Sequence, residues 1–497
     1  MKKILIANRG EITVRIIRSC REENIKTVAI FSDADRISPH VLMADEAYRI
    51  GSSPAHKSYL RIDSILEIAK QSGADAVHPG YGFLSENFKF AEAIINAGLT
   101  WIGPPPDAMS LLGDKVAARK IAEEVGVPVI PGAGKHIKKI GDVLKTAEEI
   151  GYPVLIKAVG GGGGKGMRIV TKKSELQSAF ERSRSEAASA FGDDRIFIEK
   201  YFASPHHIEI QISADTHGNV VAFPERECSI QRRYQKIIEE SPSPYIDRPL
   251  WKNMAEAARK ICLKTNYQSV GTVEFLVDNS RNFYFLEMNT RLQVEHPVTE
   301  EITGIDLVRE QIRIAAGEKL SLKQDDININ GHSIECRIYA EDGFRDFIPS
   351  VGTIHELTLP EGPGIRFDHG MRAGMEITPY YDPLLGKLIV HDKTRNMSLR
   401  RMERALRECS ISGIATTVPF CSAVIKHLQF REGNYTTSFV ADEMDNLRSS
   451  GKDGRSLLIA AAAAALHSYR IHSSSVHNSD NGTHPLWKQT GRQENLR

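Results

Sequence analysis

Apolar residues over the first 112 positions come in short runs that are separated by amphipathic segments. Helices are predicted for ITVRIIRSCREE and for the stretch near 86–97, because their apolar residues recur every three to four positions. Strands are predicted at 3–7, 26–31, 74–78 and 99–103. This alternation of strands and helices favours a parallel sheet, so we predict a doubly wound α/β region over 1–112.

The pattern changes after residue 112, where strands of two-residue alternation follow one another. Such strands predict antiparallel pairing and a mixed α+β architecture. The predicted strands are 152–159, 167–170, 195–202, 207–213, 219–225, 271–277 and 283–289, and the predicted helices are 174–190, 251–265, 397–408 and 418–429. The stretch GRSLLIAAAAAALHSYR, near the end, predicts a further helix, and the polar residues after it predict a flexible segment.

Composition narrows the class of protein. The 497 residues carry a net charge of +1, which gives no electrostatic reason to expect a nucleic-acid or membrane partner. No 18-residue apolar run exists, so no membrane span is expected. The six cysteines are scattered without a CxxC pair, which suits a reducing compartment, and we expect a cytoplasmic protein.

Five consecutive glycines occur in AVGGGGGKGMRIV, at positions 160–164. A Walker loop would need a glycine at 159, which is Val, and Ser or Thr at 166, which is Gly. The run lies between two predicted strands, so it is interpreted as a hairpin loop whose backbone amides can contact phosphate. A flexible linker is the alternative. A dinucleotide site near Gly10 with Asp33 or Asp35 is disfavoured, because only one glycine of GxGxxG is present.

Lys157 is the one charged residue of the apolar strand YPVLIKAV. Alternation places Val154 and Ile156 on one face and Lys157 on the other. A buried ammonium needs an anionic partner. Two partners remain open at this point, a structural salt bridge and a nucleotide phosphate under the glycine loop.

Two glutamates face each other in the predicted hairpin GTVEFLVDNSRNFYFLEMN. If residues 279–282 form the loop, Asp278 pairs with Phe283 and Glu274 pairs with Glu287. Like charges directly opposite repel, and a divalent cation would reverse that effect. Carboxylate and amide oxygens are the ligands of Mg²⁺ or Mn²⁺, so Glu274, Glu287 and Asn289 are predicted as the metal site. A solvated pair of surface glutamates is the alternative.

Further polar residues are predicted beside this hairpin. If the chain stays extended through TRLQVEH, Arg291, Gln293 and Glu295 follow on the same face and supply a cation, an amide and a general base. The strand HIEIQIS carries isoleucines on one face and His207, Glu209 and Gln211 on the other. The basic segment SIQRRYQK suits small anions or, taken alone, a solvated loop. Together these features describe an ATP site clasped between two antiparallel sheets.

Several motifs carry a resemblance to a known family. They are IANRGEI (6–12), HPGYGFLSEN (78–87), GDK (113–115), KAVGGGGGKGMR (157–168), HIEIQ (207–211), ERECSIQRR (225–233), EMNTRLQVEHPVTE (287–300), GHSIECRIYAED (331–342) and YYDPLLGKLI (380–389). Over about residues 1–445 the sequence resembles the biotin carboxylase component of biotin-dependent carboxylases, a branch of the ATP-grasp superfamily.

The resemblance implies a division of the chain and a reaction. It implies a biotin carboxylase N-terminal domain at 1–112, an ATP-grasp domain at 113–330 with a mobile lid at about 131–203, a mixed α/β C-terminal domain at 331–446, and a helical or flexible tail at 447–497. In the family, bicarbonate attacks the γ-phosphate of ATP to give carboxyphosphate, whose CO₂ is captured by the deprotonated N1′ of biotin. The cofactors are ATP, Mg²⁺ or Mn²⁺, and biotin.

The resemblance also implies roles for residues of this sequence. The residues expected to contact ATP are Lys115, Lys157, Gly163, Gly164, Glu199, Lys200, Phe202, His207, Gln231 and Tyr234, and the metal ligands Glu274 and Glu287 belong to the same nucleotide site. Lys236, Arg291, Gln293 and the Val294 amide are expected to bind bicarbonate, with Glu295 removing its proton. Arg337 is expected to stabilise the biotin enolate.

Three positions depart from the family pattern. Tyr234 stands where His is common, which puts one nucleotide contact in doubt, Lys165 stands for Arg, and Tyr339 stands for Asn. No AMKM-type biotinylation motif occurs, so biotin is expected on a separate carrier protein, with carboxyltransferase subunits and a second copy of this chain as further partners. Another ATP-grasp ligase, such as a carbamoyl-phosphate synthetase module, and a catalytically inactive subunit are the alternatives.

Overall fold

The computed structural model describes residues 1–132, 137, 139–158, 167–191, 194–450 and 462–469. Residues Met1–Met444 form one compact unit and Asp445–Arg497 a second. Within the described part of the chain, no helix is both long and apolar enough to cross a bilayer. The predicted tail helix is observed at 462–469, and the rest of 451–497 lies outside the described residues.

The first region is a five-stranded parallel sheet in the order β3-β2-β1-β4-β5, as the alternating pattern predicts. Its elements and the two helices after it are β1 (Lys3–Ile6), α1 (Gly10–Glu22), β2 (Lys26–Ser32), α2 (Pro39–Met43), β3 (Glu46–Gly51), α3 (Ile62–Ser72), β4 (Ala76–His78), α4 (Phe88–Asn96), β5 (Thr100–Trp101), α5 (Pro106–Gly113) and α6 (Lys115–Glu124). Strand β3 and helix α3 were not predicted. Ile4, Leu5 and Ile6 of the central strand are all fully buried, since helices cover both faces.

A small antiparallel sheet, in the order β7-β6-β8, occupies the region predicted as the lid. Its elements are α7 (Ile140–Ile150), β6 (Val154–Ala158), β7 (Met167–Val170), α8 (Lys173–Phe191) and β8 (Ile196–Lys200). Val154 and Ile156 pack into its core, and Leu155 and Lys157 lie on the opposite face, as the alternation predicts. The glycine run falls between two paired strands, but residues 159–166 lie outside the described residues.

The largest sheet has eight antiparallel strands in the order β13-β12-β9-β10-β11-β14-β21-β19. The elements from here on are β9 (His206–Ala214), β10 (Val220–Arg232), β11 (Gln235–Ser241), α9 (Arg248–Lys264), β12 (Ser269–Val277), β13 (Phe283–Asn289), α10 (His296–Thr303), α11 (Leu307–Ala315), β14 (His332–Tyr339), β15 (Glu341–Asp342), β16 (Ile348–Pro349), β17 (Gly352–Thr353), β18 (Leu357–Thr358), β19 (Ile365–His369), β20 (Glu376–Ile377), β21 (Leu384–Asp392), α12 (Arg395–Glu408), β22 (Ser410–Ile411), α13 (Val418–Lys426), α14 (Leu428–Glu432) and α15 (Phe439–Ser450). The sheet joins strands from both sides of the proposed boundary at 330/331.

Strand β9 gives the large sheet one apolar and one polar face. Ile208, Ile210 and Ile212 pack with α9 in the core, and each fully buried isoleucine stabilises the fold by about 1.5–3 kcal/mol. The intervening residues, His207 to Gln211 in steps of two, point to the other face. The predicted alternation is therefore confirmed, and the polar face is where the candidate site lies.

The β12–β13 hairpin confirms one predicted pair and corrects another. Glu274 does lie opposite Glu287. Near the turn, however, Val277 pairs with Phe283, so the predicted pairing of Asp278 with Phe283 is wrong by one residue. Asp278 instead closes the turn, since its N–H donates to the Asn282 carbonyl and its carboxylate accepts from the Asn282 N–H. A register shift between Glu274 and Phe275 restores the glutamate pair.

Candidate active site

A cavity of about 960 Å³ opens between the small sheet and the polar face of the large sheet. That volume is at the upper end of the range for small-molecule sites. Its lining includes the following residues predicted from the sequence: Lys115, Lys157, Glu199, Lys200, Phe202, His207, Gln231, Tyr234, Lys236, Glu274, Glu287, Asn289, Arg291, Gln293, Val294, Glu295 and Arg337. The predicted residues Gly163 and Gly164 lie outside the described residues.

The two hairpin glutamates and Asn289 lie together at this cavity. Asn289 Nδ2 donates to Glu274 Oε1 at 2.8 Å, and His207 Nε2 lies 3.0 Å from Glu274 Oε2. Burial raises the pKa of Glu287, and the facing Glu274 carboxylate raises it further. Two carboxylates and an amide oxygen that repel one another without a cation fit Mg²⁺ or Mn²⁺. The donor set is therefore suited to the predicted metal.

Lys236 connects three buried carboxylates. Its Nζ donates to Glu209 at 2.7 Å, to Glu274 at 3.0 Å and to Glu295 at 2.6 Å, which uses all three ammonium donors. Burial alone would lower the pKa of Lys236, but Glu209 and the other two carboxylates raise it well above its usual range. Lys236 stands on β11, directly after the turn from β10, so the solvated-loop alternative for this segment does not apply to it.

The predicted extension of the chain beyond Asn289 is wrong, although its residues reach the cavity. Strand β13 ends at Asn289, and Glu295 caps helix α10. The segment turns because Gln293 is held by two partners. Its Nε2 donates to Glu274 at 2.7 Å, and its Oε1 accepts from Arg226 at 2.8 Å. The turn still leaves Arg291 beside the metal residues, where its Nη2 donates to Asn289 Oδ1 at 3.0 Å.

Arg337 approaches the same carboxylate from β14. Its Nη2 donates to Glu295 Oε2 at 2.9 Å, and its Nε donates to Glu239 Oε1 at 2.5 Å. Glu295 thus lies between Lys236 and Arg337. Burial would raise the pKa of Glu295, but Lys236 and Arg337 lower it well below its usual range. In this state Glu295 is a firmly ionised carboxylate between two cations.

The other side of the cavity is formed by the small sheet and the strand after it. Lys157 forms an ion pair with Glu199 of β8, which is the first of its two predicted partners and leaves a phosphate contact open. Lys200 Nζ donates to the carbonyls of residues 151 and 152, at 3.1 Å each. The Phe202 ring stacks on Tyr284 at 5.0 Å between centroids. Tyr234 is 52% exposed at this edge.

Arg226 was missed by the sequence analysis and lies at the centre of the site's support. It is completely buried on β10. Its guanidinium forms an ion pair with Glu209 and donates to four further oxygens, those of Gln211 (2.8 Å), Thr299 (2.9 Å), Thr272 (3.1 Å) and Gln293 (2.8 Å). The available signal was a charged residue within the alternating strand NVVAFPERE. Its partners come from four separate elements, which the sequence does not reveal.

Two more residues missed by the sequence analysis contact the predicted ones. Glu86, from the N-terminal region, lies 3.2 Å from Nε of Arg291. Lys387, on β21, is fully buried and donates to the Val294 carbonyl at 2.9 Å. In the N-terminal region, Asp35 accepts two hydrogen bonds from Arg9 and one from Tyr59. These bonds explain Asp35 without the disfavoured dinucleotide site.

Comparison with known proteins agrees with this geometry. Family models match for the biotin carboxylase N-terminal domain over 1–109, the ATP-binding domain of the carbamoyl-phosphate synthase L chain over 114–323, and the biotin carboxylase C-terminal domain over 335–442. The chain is 52% identical over 443 residues to the biotin carboxylase of Halalkalibacterium halodurans, which is 89% of this chain and 98% of that protein. It is 48% identical over 491 residues to the propionyl-CoA carboxylase alpha chain of Ruegeria pomeroyi, 94% of this chain and 72% of that one.

Solved structures show the same relationship. The biotin carboxylase domain dimer of Hydrogenobacter thermophilus 2-oxoglutarate carboxylase, in complex with MgADP, ADP and bicarbonate, has a TM-score of 0.86 and 47% identity over 89% of this chain and 97% of that chain. A biotin carboxylase complex with β-γ-ATP from Campylobacter jejuni has a TM-score of 0.86 and 43% identity, covering 89% and 98% of the two chains. On this sequence identity, domain order and fold, the chain belongs to the biotin carboxylase family.

Proposed function

We propose that this chain carboxylates biotin carried on a separate protein, using ATP and bicarbonate, as the first half-reaction of a multi-component carboxylase. The observation that carries this proposal is the convergence of a carboxylate pair, two cations and a firmly ionised Glu295 in one cavity. The products are carboxybiotin, ADP and phosphate.

The roles of the residues follow from their position in the cavity. Glu274, Glu287 and Asn289 are the residues that would hold Mg²⁺ or Mn²⁺, which supplies positive charge for the phosphates. Lys115, Lys157, Glu199, Lys200, Phe202, His207, Gln231 and Tyr234 line the nucleotide side, with Gly163 and Gly164 proposed as the backbone contacts to phosphate.

Bicarbonate is assigned to the pocket between Lys236, Arg291 and Gln293, with the Val294 N–H beside them. All three donors of Lys236 are used by carboxylates, so an anion that binds Lys236 must replace one of them. Glu295 is the carboxylate placed to accept the proton of bicarbonate. Its release from Lys236 would raise its pKa and make it a better base.

Arg337 is assigned to biotin. Its guanidinium shares Glu295 with Lys236, so the biotin-side and bicarbonate-side cations lie on opposite oxygens of one carboxylate. A guanidinium in this position would stabilise negative charge that develops on the ureido oxygen when N1′ is deprotonated.

The partners are proposed from the relatives. These include free-standing biotin carboxylases, a pyruvate carboxylase subunit of Methanothermobacter thermautotrophicus and propionyl-CoA carboxylase alpha chains. We infer a biotin carboxyl carrier protein and carboxyltransferase subunits of acetyl-CoA, acyl-CoA or pyruvate carboxylase type as partners. A homodimer is inferred from the dimeric relative, and a cytoplasmic location stays a prediction.

The test is transfer of oxygen from bicarbonate to phosphate. Purified chain is incubated with ATP, Mg²⁺, free biotin and ¹⁸O-labelled bicarbonate. Attack by a bicarbonate oxygen on the γ-phosphate leaves one label in the phosphate product, whereas hydrolysis by water leaves none. Labelled phosphate that forms only with bicarbonate and faster with biotin supports the proposal.

One match favours a second candidate for the central region, because the family model over 114–323 is that of carbamoyl-phosphate synthase. Such a module would also activate bicarbonate with ATP but would pass it to ammonia. Replacement of biotin by ammonium in the same assay separates the two. Carbamate formation in place of carboxybiotin would overturn the biotin assignment.

A further inference from the structure

Two glutamates that no role has used, Glu239 on β11 and Glu335 on β14, face each other next to Arg337. Both side chains are completely buried. Directly opposite residues of antiparallel strands point to the same face, with Cβ atoms about 4.5–5.5 Å apart. The sheet therefore brings two carboxyl groups together away from water.

Their oxygens are unequally satisfied. Glu239 Oε1 accepts from Arg337 Nε, but Glu239 Oε2 has no hydrogen-bond partner among the described residues. Neither side-chain oxygen of Glu335 has a partner among them. An unpaired buried acceptor costs about 1–3 kcal/mol, and more when it is charged. Two ionised carboxylates in this position would leave three such oxygens.

The surrounding charges do not compensate a second negative charge. Glu335 is influenced by Lys387 from β21, by Arg337 on its own strand, by Glu239 from β11 and by Glu295 ahead of α10. Lys387 already donates to Val294 and pairs with Glu11 at 3.3 Å. Arg337 already pairs with Glu239 and Glu295. Burial raises the pKa of Glu335 well above its usual range, Lys387 opposes this, and Glu239 adds to it.

We propose that Glu335 is protonated at neutral pH and donates a hydrogen bond to Glu239 Oε2, so that the facing carboxyls share one negative charge. A single proton gives Glu335 a donor and supplies the missing partner of Glu239. Glu239 then remains a carboxylate that fixes Nε of Arg337, while Nη2 stays on Glu295.

The pair is a positioning device for the guanidinium assigned to biotin, and this part of the inference rests on the proposed function. Neither glutamate lines the cavity, so neither touches substrate. A guanidinium held at Nε has one orientation, whereas one held only through Nη2 and Glu295 could rotate about that contact. The expected consequence is a specific effect on the biotin step.

The protonation itself is tested by infrared difference spectroscopy on the full chain at pH 7.5, wild type against E335Q, in H₂O and D₂O. We expect the substitution to remove a protonated carboxyl C=O band that shifts in D₂O. The matched control is E240Q, since Glu240 is the neighbouring buried residue of β11 and pairs with Arg395 and His332. Their charge holds the pKa of Glu240 down, at about 2, against the effect of burial, so E240Q should remove an ionised carboxylate band. Loss of an ionised band in E335Q as well would overturn the proposal.

The positioning role is tested by comparing E335Q with E335L. Glutamine keeps an N–H donor for Glu239, so we expect its rate of biotin carboxylation to stay within about threefold of wild type. Leucine has a similar volume and no donor, so that rate should fall about tenfold or more, the equivalent of one hydrogen bond to a charged group, while the KM for ATP stays unchanged. Equal losses in both variants, or equal losses in the KM for ATP, would contradict positioning. A wild-type chain without biotin-dependent activity would refute the proposed function and leave the infrared result standing.

Discussion

The parallel sheet of the N-terminal region and the large antiparallel sheet solve burial in opposite ways. The central strand of the first sheet is apolar on both faces, and Ile4, Leu5 and Ile6 need no partners beyond close packing. The second sheet is equally buried but carries charges on one face, each held by named partners. The Arg226 guanidinium alone contacts five residues. Charge buried in this way contributes little net stability, so its presence indicates chemistry.

The largest expected difference between the two sheets is in turnover. Glu287→Gln keeps the shape of the side chain but removes a predicted metal ligand, so kcat should fall at least about 100-fold, the effect of losing several kcal/mol of charge stabilisation. Ile4→Val, the control in the N-terminal sheet, should cost about 0.5–1.5 kcal/mol of stability with normal kcat. Steady-state kinetics and thermal unfolding measure both. A Glu287→Gln variant with wild-type rates would remove the metal assignment.

Arg226→Met tests whether buried charge and buried apolar surface differ in their effect on the reaction. Removal of the guanidinium leaves Glu209 buried without its strongest partner, so stability should fall by about 3–5 kcal/mol. Ile4→Ala should cost a similar 2–5 kcal/mol in the other sheet.

Only the Arg226 variant should also raise the KM for bicarbonate, because Gln293 loses its anchor. The kinetic comparison is made at a temperature where both variants are folded. Equal KM values in the two variants would show that Arg226 acts on stability alone.

Acid should affect the two regions with opposite sign. Burial lowers the pKa of His78, on β4, from 6.5 to about 3, so below pH 6.5 the unfolded chain takes up a proton that the folded chain does not. Burial raises the pKa of Glu225, on β10, from 4.5 to about 7, so between pH 4.5 and 7 the folded chain holds the extra proton.

On acidification from pH 7.5 to 5.5, the wild type should therefore lose about 1.4 kcal/mol of stability relative to His78→Gln. Over the same change it should gain about 2 kcal/mol relative to Glu225→Gln. Thermal unfolding of the three proteins at both pH values measures these differences. Parallel pH profiles for all three would contradict the two pKa shifts.

The smallest effect is expected at the cavity edge. Tyr234 is half exposed and stands where His is common in the family, so Tyr234→His should leave kcat and the KM for ATP within about twofold of wild type, as for a surface substitution worth ±0.5 kcal/mol. A large rise in the KM for ATP would show that the tyrosine makes a nucleotide contact of its own.

Local patterns predicted the strands of the site, and their failures have a common cause. The alternation of HIEIQIS and the pairing of Glu274 with Glu287 are properties of one strand or one hairpin, and both are confirmed. The register near Asp278 failed because that side chain takes part in the turn. The extension beyond Asn289 failed because Gln293 is held by Arg226, which is distant in sequence.

The buried supports of the site were beyond the sequence for the same reason. Glu86, Arg226 and Lys387 contact predicted residues through strands and helices that are far apart along the chain. The facing of Glu239 and Glu335 depends on the pairing of β11 with β14, across the boundary that the motifs suggest between two domains. Only the assembled sheet makes these contacts visible.

The most direct test of the central claim, that the polar face of the large sheet is the catalytic site for biotin carboxylation, is transfer of ¹⁴C from bicarbonate to biotin by wild type and by Glu295→Gln. We predict ATP-dependent formation of acid-labile carboxybiotin by the wild type, and a loss of at least about 100-fold in the variant, in which the proposed base between Lys236 and Arg337 is neutral. Equal rates of transfer in the two proteins, or no transfer by the wild type, would contradict the account.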